Sequence, residues 1–77
     1  MTVYKYVCRD DQVKEKSEWI TSMGLLIIKV ESSRCVWEAP PVGAYVWYSS
    51  IICYAAEEVE IMLKLKFPPD IFRECSA

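Results

Sequence analysis

The stretch AAEEVEIMLKLKFPP, from Ala55 to Pro69, decides which fold this chain adopts. A period of two residues predicts a strand that collects apolar side chains on one face, namely Val59, Ile61, Leu63, Leu65 and Phe67. A period of 3.6 residues predicts a helix with a different apolar arc, formed by Ala55, Val59, Met62, Leu63 and Phe67. The helical arrangement leaves Ile61 and Leu65 on a flank, so the burial of these two side chains distinguishes a strand from a helix.

Composition and turn chemistry favour the helix. The stretch is rich in Ala, Glu, Met, Leu and Lys, which have the highest intrinsic helix propensities. A strand would need a tight turn at YAAEE, which contains no Gly, Pro, Asn or Asp. Pro68 and Pro69 are placed where they would end a helix. We therefore predict a helix from Ala55 to Phe67.

The first part of the chain predicts a strand followed by a helix. TVYKYVCR alternates, with Tyr4, Tyr6 and Cys8 on one face and Lys5 and Arg9 on the wetter face. The next segment begins with two aspartates that can cap a first turn and ends at a glycine that can adopt a left-handed conformation. On a helical wheel one side of this segment contains Val13, Lys16, Trp19, Ile20 and Met23.

The middle of the chain is rich in strand-forming residues. LLIIKVE and RCVWEA flank Ser32 and Ser33, and this arrangement predicts a hairpin with a weak turn. The prolines and glycine of PPVG, at 40–43, then interrupt the pattern. AYVWYSSIIC follows and is apolar on both alternating faces, which is typical of a strand in the middle of a sheet.

These elements predict an α+β fold in one domain that spans residues 1–77, with residues 68–77 as a frayed C-terminal tail. The expected order is β-α-β-β-β-α, with a four-stranded, mostly antiparallel sheet and both helices on one face. The alternative is the β-α-β-β-α-β order of ferredoxin-like domains. That alternative makes Ala44 to Glu57 the second helix and turns the last segment into a strand. Neither order implies a function.

The sequence favours a cytoplasmic protein with reduced thiols. The N-terminal residues carry charges at Lys5 and Arg9 and do not resemble a signal peptide. The uncharged window from Ala39 to Ala56 is short for a membrane span and contains prolines. The four cysteines, Cys8, Cys35, Cys53 and Cys75, lack the close spacing of a zinc site, and the chain contains no histidine. We therefore expect free thiols and no metal site.

The residue inventory favours a protein that is not an enzyme and binds no cofactor. Histidine, the commonest general base, is absent, and two glycines cannot form a phosphate-binding loop. The acidic pairs Asp10-Asp11 and Glu57-Glu58 are explained by favourable interaction with helix N-termini. The net charge is only −2 and no basic stripe appears, so duplex nucleic acid is not expected as a partner. Without such basic residues, a stacking platform for single strands would also be weak.

The surplus of large aromatic residues gives the one candidate site. So small a core cannot bury all of the aromatics between 45 and 54, and Trp and Tyr dominate protein-binding hot spots. The predicted partner-binding residues are Tyr45, Trp47, Tyr48 and Tyr54. The first hypothesis is a small inhibitor, immunity-type protein or adaptor, for example a virus- or phage-encoded inhibitor of a host nucleic-acid enzyme. The alternatives are a structural, homo-oligomeric protein and, third, a thiol-redox protein.

Overall fold

The computed structural model describes residues 2–75, with side chains at all of these positions except 32 and 33. A single 3₁₀ turn, Asp10–Gln12, links the first strand to the first helix. The four strands and two helices are β1 Thr2–Arg9, α1 Val13–Ser22, β2 Leu26–Glu38, β3 Ala44–Ala55, α2 Glu57–Lys66 and β4 Arg73–Cys75. The predicted α+β class, with four strands and two helices, is confirmed.

The strands form one antiparallel sheet in the order β2-β3-β1-β4. The chain order is β-α-β-β-α-β, which is the ferredoxin-like order that the sequence left as the alternative. The second helix nevertheless lies within the predicted segment from Ala55 to Phe67. The alternative required a helix from Ala44 to Glu57, but the stretch from Ala44 to Ala55 is a strand. Strand β3 lies between β2 and β1, in the middle of the sheet, as its β-branched and aromatic residues predicted.

The hairpin predicted at Ser32 and Ser33 is wrong. Residues 26–38 form one continuous strand of 13 residues, and the register against β3 shifts between Ile27 and Lys29 and again between Ser32 and Arg34. Two serines supply no residue that favours a left-handed conformation, so the chain passes them as an irregularity in a long strand. The chain reverses instead at 39–43, where Gly43 has a φ of +58°.

The C-terminal segment that was expected to fray contributes to the fold. Residues 73–75 form β4, which pairs with β1 through Val3, Tyr4 and Lys5. Phe72, directly before β4, is buried in the core. One aromatic side chain therefore anchors the edge of the sheet after the two prolines end α2.

The exposure of the side chains along α2 confirms that this segment follows the helical pattern and not the strand pattern. Leu63 is 3% exposed, whereas Leu65 is 84% exposed and Ile61 is 56% exposed. A strand would have placed all three on the same face. Val59 and Phe67 pack against the core beside Leu63, as the helical arc predicts.

The core lies between one face of the sheet and the two helices. Tyr4 and Cys8 of β1 lie opposite Cys53 and Ser49 of β3, and these side chains are buried on the face that both helices cover. Ile20 comes from α1 and Leu63 from α2. Ring centroids 5.2–5.9 Å apart connect an aromatic cluster beneath the helices, formed by Tyr6, Trp19, Phe67 and Phe72.

One end of the β2–β3 hairpin projects beyond the rest of the sheet. The pairing of β1 with β3 ends at Arg9 and Tyr48, whereas the pairing of β2 with β3 continues to Glu38 and Ala44. We call residues 35–47 the distal arm. It contributes no residue to the core, and the molecule is accordingly elongated, with extents of 41 × 24 × 22 Å. Over residues 2–75, neither helix has the length and apolar character needed to cross a bilayer.

Candidate functional site

The distal arm carries an exposed aromatic cluster. Trp37, Tyr45 and Trp47 are 54%, 70% and 60% exposed. Trp37 lies directly opposite Tyr45, and their rings meet edge to face with centroids 5.3 Å apart. Strand alternation places Tyr45 and Trp47 on the same face as the buried Ser49 and Ile51. The helices do not reach this far along β3, so the face that is core near Ile51 is solvent-exposed at the arm.

The four predicted binding residues are divided between the two faces of the sheet. Tyr45 and Trp47 lie on the aromatic face of the distal arm, whereas Tyr48 and Tyr54 alternate onto the opposite, open face. Tyr54 is half-buried there and lies opposite Val3 of β1 and Leu26 of β2. One continuous surface therefore cannot contain all four residues.

Tyr48 has a structural contact that ties the arm to the sheet. Its hydroxyl donates a hydrogen bond to Oε1 of Glu38, near the tip of the arm, and this bond raises the pKa of the Tyr48 phenol. The other carboxylate oxygen of Glu38 accepts a hydrogen bond from Arg9 Nη2 at 2.8 Å. Glu38 thus bridges residues from β1 and β3 and holds the arm in line with the sheet.

Trp37 belongs to this cluster although it was not among the predicted binding residues. The hairpin predicted at Ser32 and Ser33 separated RCVWEA from its true partner, AYVWY. The signal that identifies the pairing is the two prolines and the glycine at 40–43, because a reversal there aligns Trp37 with Tyr45. Cys35 lies opposite Trp47 and is also exposed, so it belongs to the same part of the arm.

An acidic recess lies between the arm and the start of α1. Asp10 and Asp11 line it together with Arg9, Tyr45 and Trp47, and its volume is about 340 Å³. The hydroxyl of Ser49 donates a hydrogen bond to Asp10 Oδ1 at 2.6 Å, which fixes the orientation of that carboxylate. The two carboxylates, which the sequence assigned to the helix start alone, therefore also border the aromatic cluster.

The cysteines differ widely in environment. Cys8 and Cys53 are buried, and burial raises the pKa of both thiols, that of Cys53 to about 11. Such thiols are poor nucleophiles at neutral pH, because the thiolate is the reactive form. Within residues 2–75, no group of three or more Cys, Asp or Glu side chains is placed to hold a metal ion.

Comparison of the chain with protein-family models, with curated proteins and with solved structures finds no match.

Proposed function

We propose that this protein is a small, non-catalytic binding protein that contacts a partner protein through the distal arm. The observation that carries the proposal is the exposure of Trp37, Tyr45 and Trp47 on an arm that contributes nothing to the core. Aromatic side chains bury a large area when they enter an interface and dominate binding hot spots. None of these three side chains packs against the core, so a role in binding a partner accounts for their presence.

The surroundings of the aromatic cluster favour a partner with a basic surface. Asp10 and Asp11 border the recess that Tyr45 and Trp47 line, and Arg9, which also lines it, is paired with Glu38. A Lys or Arg side chain of the partner entering there would contact carboxylates and stack on an aromatic ring. Enzymes that act on nucleic acids present such surfaces, because they bind phosphates with Lys and Arg. An inhibitor of such an enzyme is therefore the specific form of the proposal.

The test replaces Trp47 by alanine. We expect W47A to lose at least about 2 kcal/mol of partner affinity, as an aromatic anchor does. Because the side chain is exposed, the melting temperature should stay close to that of the wild type. The partner is identified by mass spectrometry among host proteins retained by the immobilised wild type, and the affinities of the wild type and of W47A are then measured by calorimetry on the purified partner.

Matched controls separate binding from folding. W19A removes a tryptophan that packs in the aromatic core cluster, and it should lose roughly 3–5 kcal/mol of stability. D11N should weaken binding to a basic partner and make it less dependent on salt. If W47A melts normally and binds the purified partner with unchanged affinity, the arm is not the binding surface.

A homo-oligomer is the second candidate, favoured by the long free edge of the sheet. Strand β3 is paired on both sides from Tyr48 to Ala55, so only its short segment 44–47 has a free edge. Strand β2 is an edge strand of 13 residues with exposed Leu26, Ile28 and Val30. Sedimentation of the wild type over a range of concentrations tests this candidate. A stable dimer that V30K abolishes and W47A leaves intact would favour β2 over the arm.

A further inference from the structure

Three basic side chains from three different strands converge on the open face of the sheet. Lys5 comes from β1, Arg34 from β2 and Arg73 from β4. They line the same cavity of about 250 Å³, and an adjoining depression is lined by the same three residues with Ser50. This face is opposite to the one that carries the core, so the cavity is separate from the aromatic face of the distal arm.

These three cations form no ion pair within residues 2–75, although Glu31, which lies opposite Ser50 on the same face, is near enough to interact electrostatically with Lys5. The ion pairs in this part of the chain join other residues: Arg9 with Glu38 at 2.8 Å, Lys29 with Glu31 at 2.7 Å and Lys64 with Glu60 at 3.1 Å. Asp70 lines the cavity but forms no ion pair with any of the three. With three cations against Asp70 in its lining and Glu31 nearby, the cavity carries a net positive charge in a protein whose net charge is −2.

The pairing of the strands makes this arrangement unfavourable for the protein alone. Lys5 and Arg73 lie directly opposite each other in the β1–β4 ladder. Like charges at directly opposed positions destabilise an antiparallel pair. An anion seated between them would reduce this repulsion, so anion binding would stabilise the arrangement.

We propose that this cavity, formed by Lys5, Arg34 and Arg73, binds a phosphate group. Two guanidinium groups offer paired N–H donors that match phosphate oxygens, and the lysine adds a compact positive charge. Three cations suit a dianion better than a singly charged carboxylate. Ser50 lines the adjoining depression and offers a further hydroxyl donor there. The remaining wall of the cavity is formed by Tyr6, Val7, Asp70 and Ile71.

The experiment titrates the ¹⁵N-labelled protein with inorganic phosphate, with a nucleoside 5′-monophosphate and with acetate, at constant ionic strength. We expect phosphate to shift the amide signals around Lys5, Arg34 and Arg73 and to raise the melting temperature, with acetate doing neither. Tighter binding of the monophosphate would show that the group belongs to a phosphomonoester, and equal binding would favour free phosphate. Phosphate and acetate effects of equal size would overturn the proposal.

Three charge-removing variants, K5Q, R34Q and R73Q, test the site. Each should weaken phosphate binding at least about tenfold, the loss expected for one charge-assisted hydrogen bond. K14Q removes the same charge from the exposed face of α1 and should leave phosphate binding unchanged. In low salt without phosphate, K5Q and R73Q should melt at a higher temperature than the wild type, because they remove the like-charge pair.

The melting temperature in the absence of phosphate distinguishes a binding site from a structural cluster. Variants that lose phosphate binding while melting at a lower temperature would indicate that the basic residues support the fold, and they would overturn the proposal. The cavity and the aromatic face of the distal arm lie on opposite faces of the sheet. K5Q should therefore leave binding of the partner protein unaffected, and failure of one proposal would not affect the other.

Discussion

At the scale of single residues, position on the sheet decides what a side chain does. Cys53 is buried on the core face of β3, and its thiol donates a weak hydrogen bond to the carbonyl of Tyr4 at 3.6 Å. Cys35, on the distal arm, has the same chemistry but is exposed. The same contrast separates the buried Tyr4 from the exposed Tyr45. Residue type alone therefore does not indicate which aromatic or cysteine is available to a partner.

The cysteines give the first prediction at this scale. In the native protein at pH 8, Ellman's reagent should modify Cys35 first and leave Cys53 unmodified until the chain unfolds. A thiol with a pKa of about 11 is only roughly one part in a thousand thiolate at that pH, and Cys53 is also inaccessible. C35S should remove the fast phase alone, and denaturation should reveal four reactive thiols in the wild type. Four thiols reacting at one rate in the native state would contradict the assigned burial.

The raised pKa of Cys53 also fixes the sign of its pH effect. The folded chain holds this proton more tightly than the unfolded chain, whose thiol titrates near its ordinary value of about 9. The contribution is therefore fully present below pH 9 and is lost as pH rises toward 11. Stability measured by urea denaturation should accordingly fall over that interval for the wild type and fall less for C53A.

At the scale of elements, helix α2 supplies the most direct test of how the sequence encodes the fold. L63A and L65A make the same chemical change two residues apart. Leu63 is buried against the sheet, so L63A should cost about 2–5 kcal/mol of unfolding free energy. Leu65 is exposed, so L65A should change stability by no more than about 0.5 kcal/mol. Urea denaturation measures both, and equal losses would indicate a strand in which the two side chains share a face.

At the scale of the whole molecule, the core and the distal arm are separable. All buried apolar residues lie outside residues 35–47, and Cys35 lies directly opposite Trp47. Residues 36–46 can therefore be replaced by Asn-Gly, which favours a two-residue hairpin turn at that register. The shortened protein should keep the circular dichroism and near-wild-type melting of the parent while losing partner binding.

The deletion also removes Glu38 and its contacts with Arg9 and Tyr48, so the variant E38Q serves as a control. E38Q keeps the arm but weakens its link to Arg9 and Tyr48. It should increase hydrogen exchange of the arm amides and leave the amides of 50–55 protected, because an isolated two-stranded ribbon is only marginally stable. Collapse of the whole fold in the shortened protein would mean that the arm is part of the cooperative folding unit.

The sequence by itself determined the local elements. Alternation identified β1 and its buried Tyr4 and Cys8, and a left-handed Gly24, with a φ of +93°, ends the first helix region as expected. Helix propensity and the two prolines identified α2. These features depend on residues within one or two turns of each other, so a local pattern is sufficient to reveal them.

Tertiary structure decided which strands pair, and strand pairing in turn determined which side chains share a surface. The long β3 strand offered a partner along the whole of β2, so Ser32 and Ser33 became an irregularity rather than a turn. The same pairing placed Trp37 beside Tyr45, sent Tyr48 and Tyr54 to the other face, and gathered Lys5, Arg34 and Arg73 into one cavity. Residues so far apart in the chain meet only through strand register, and a change of one position in register moves a side chain to the opposite face.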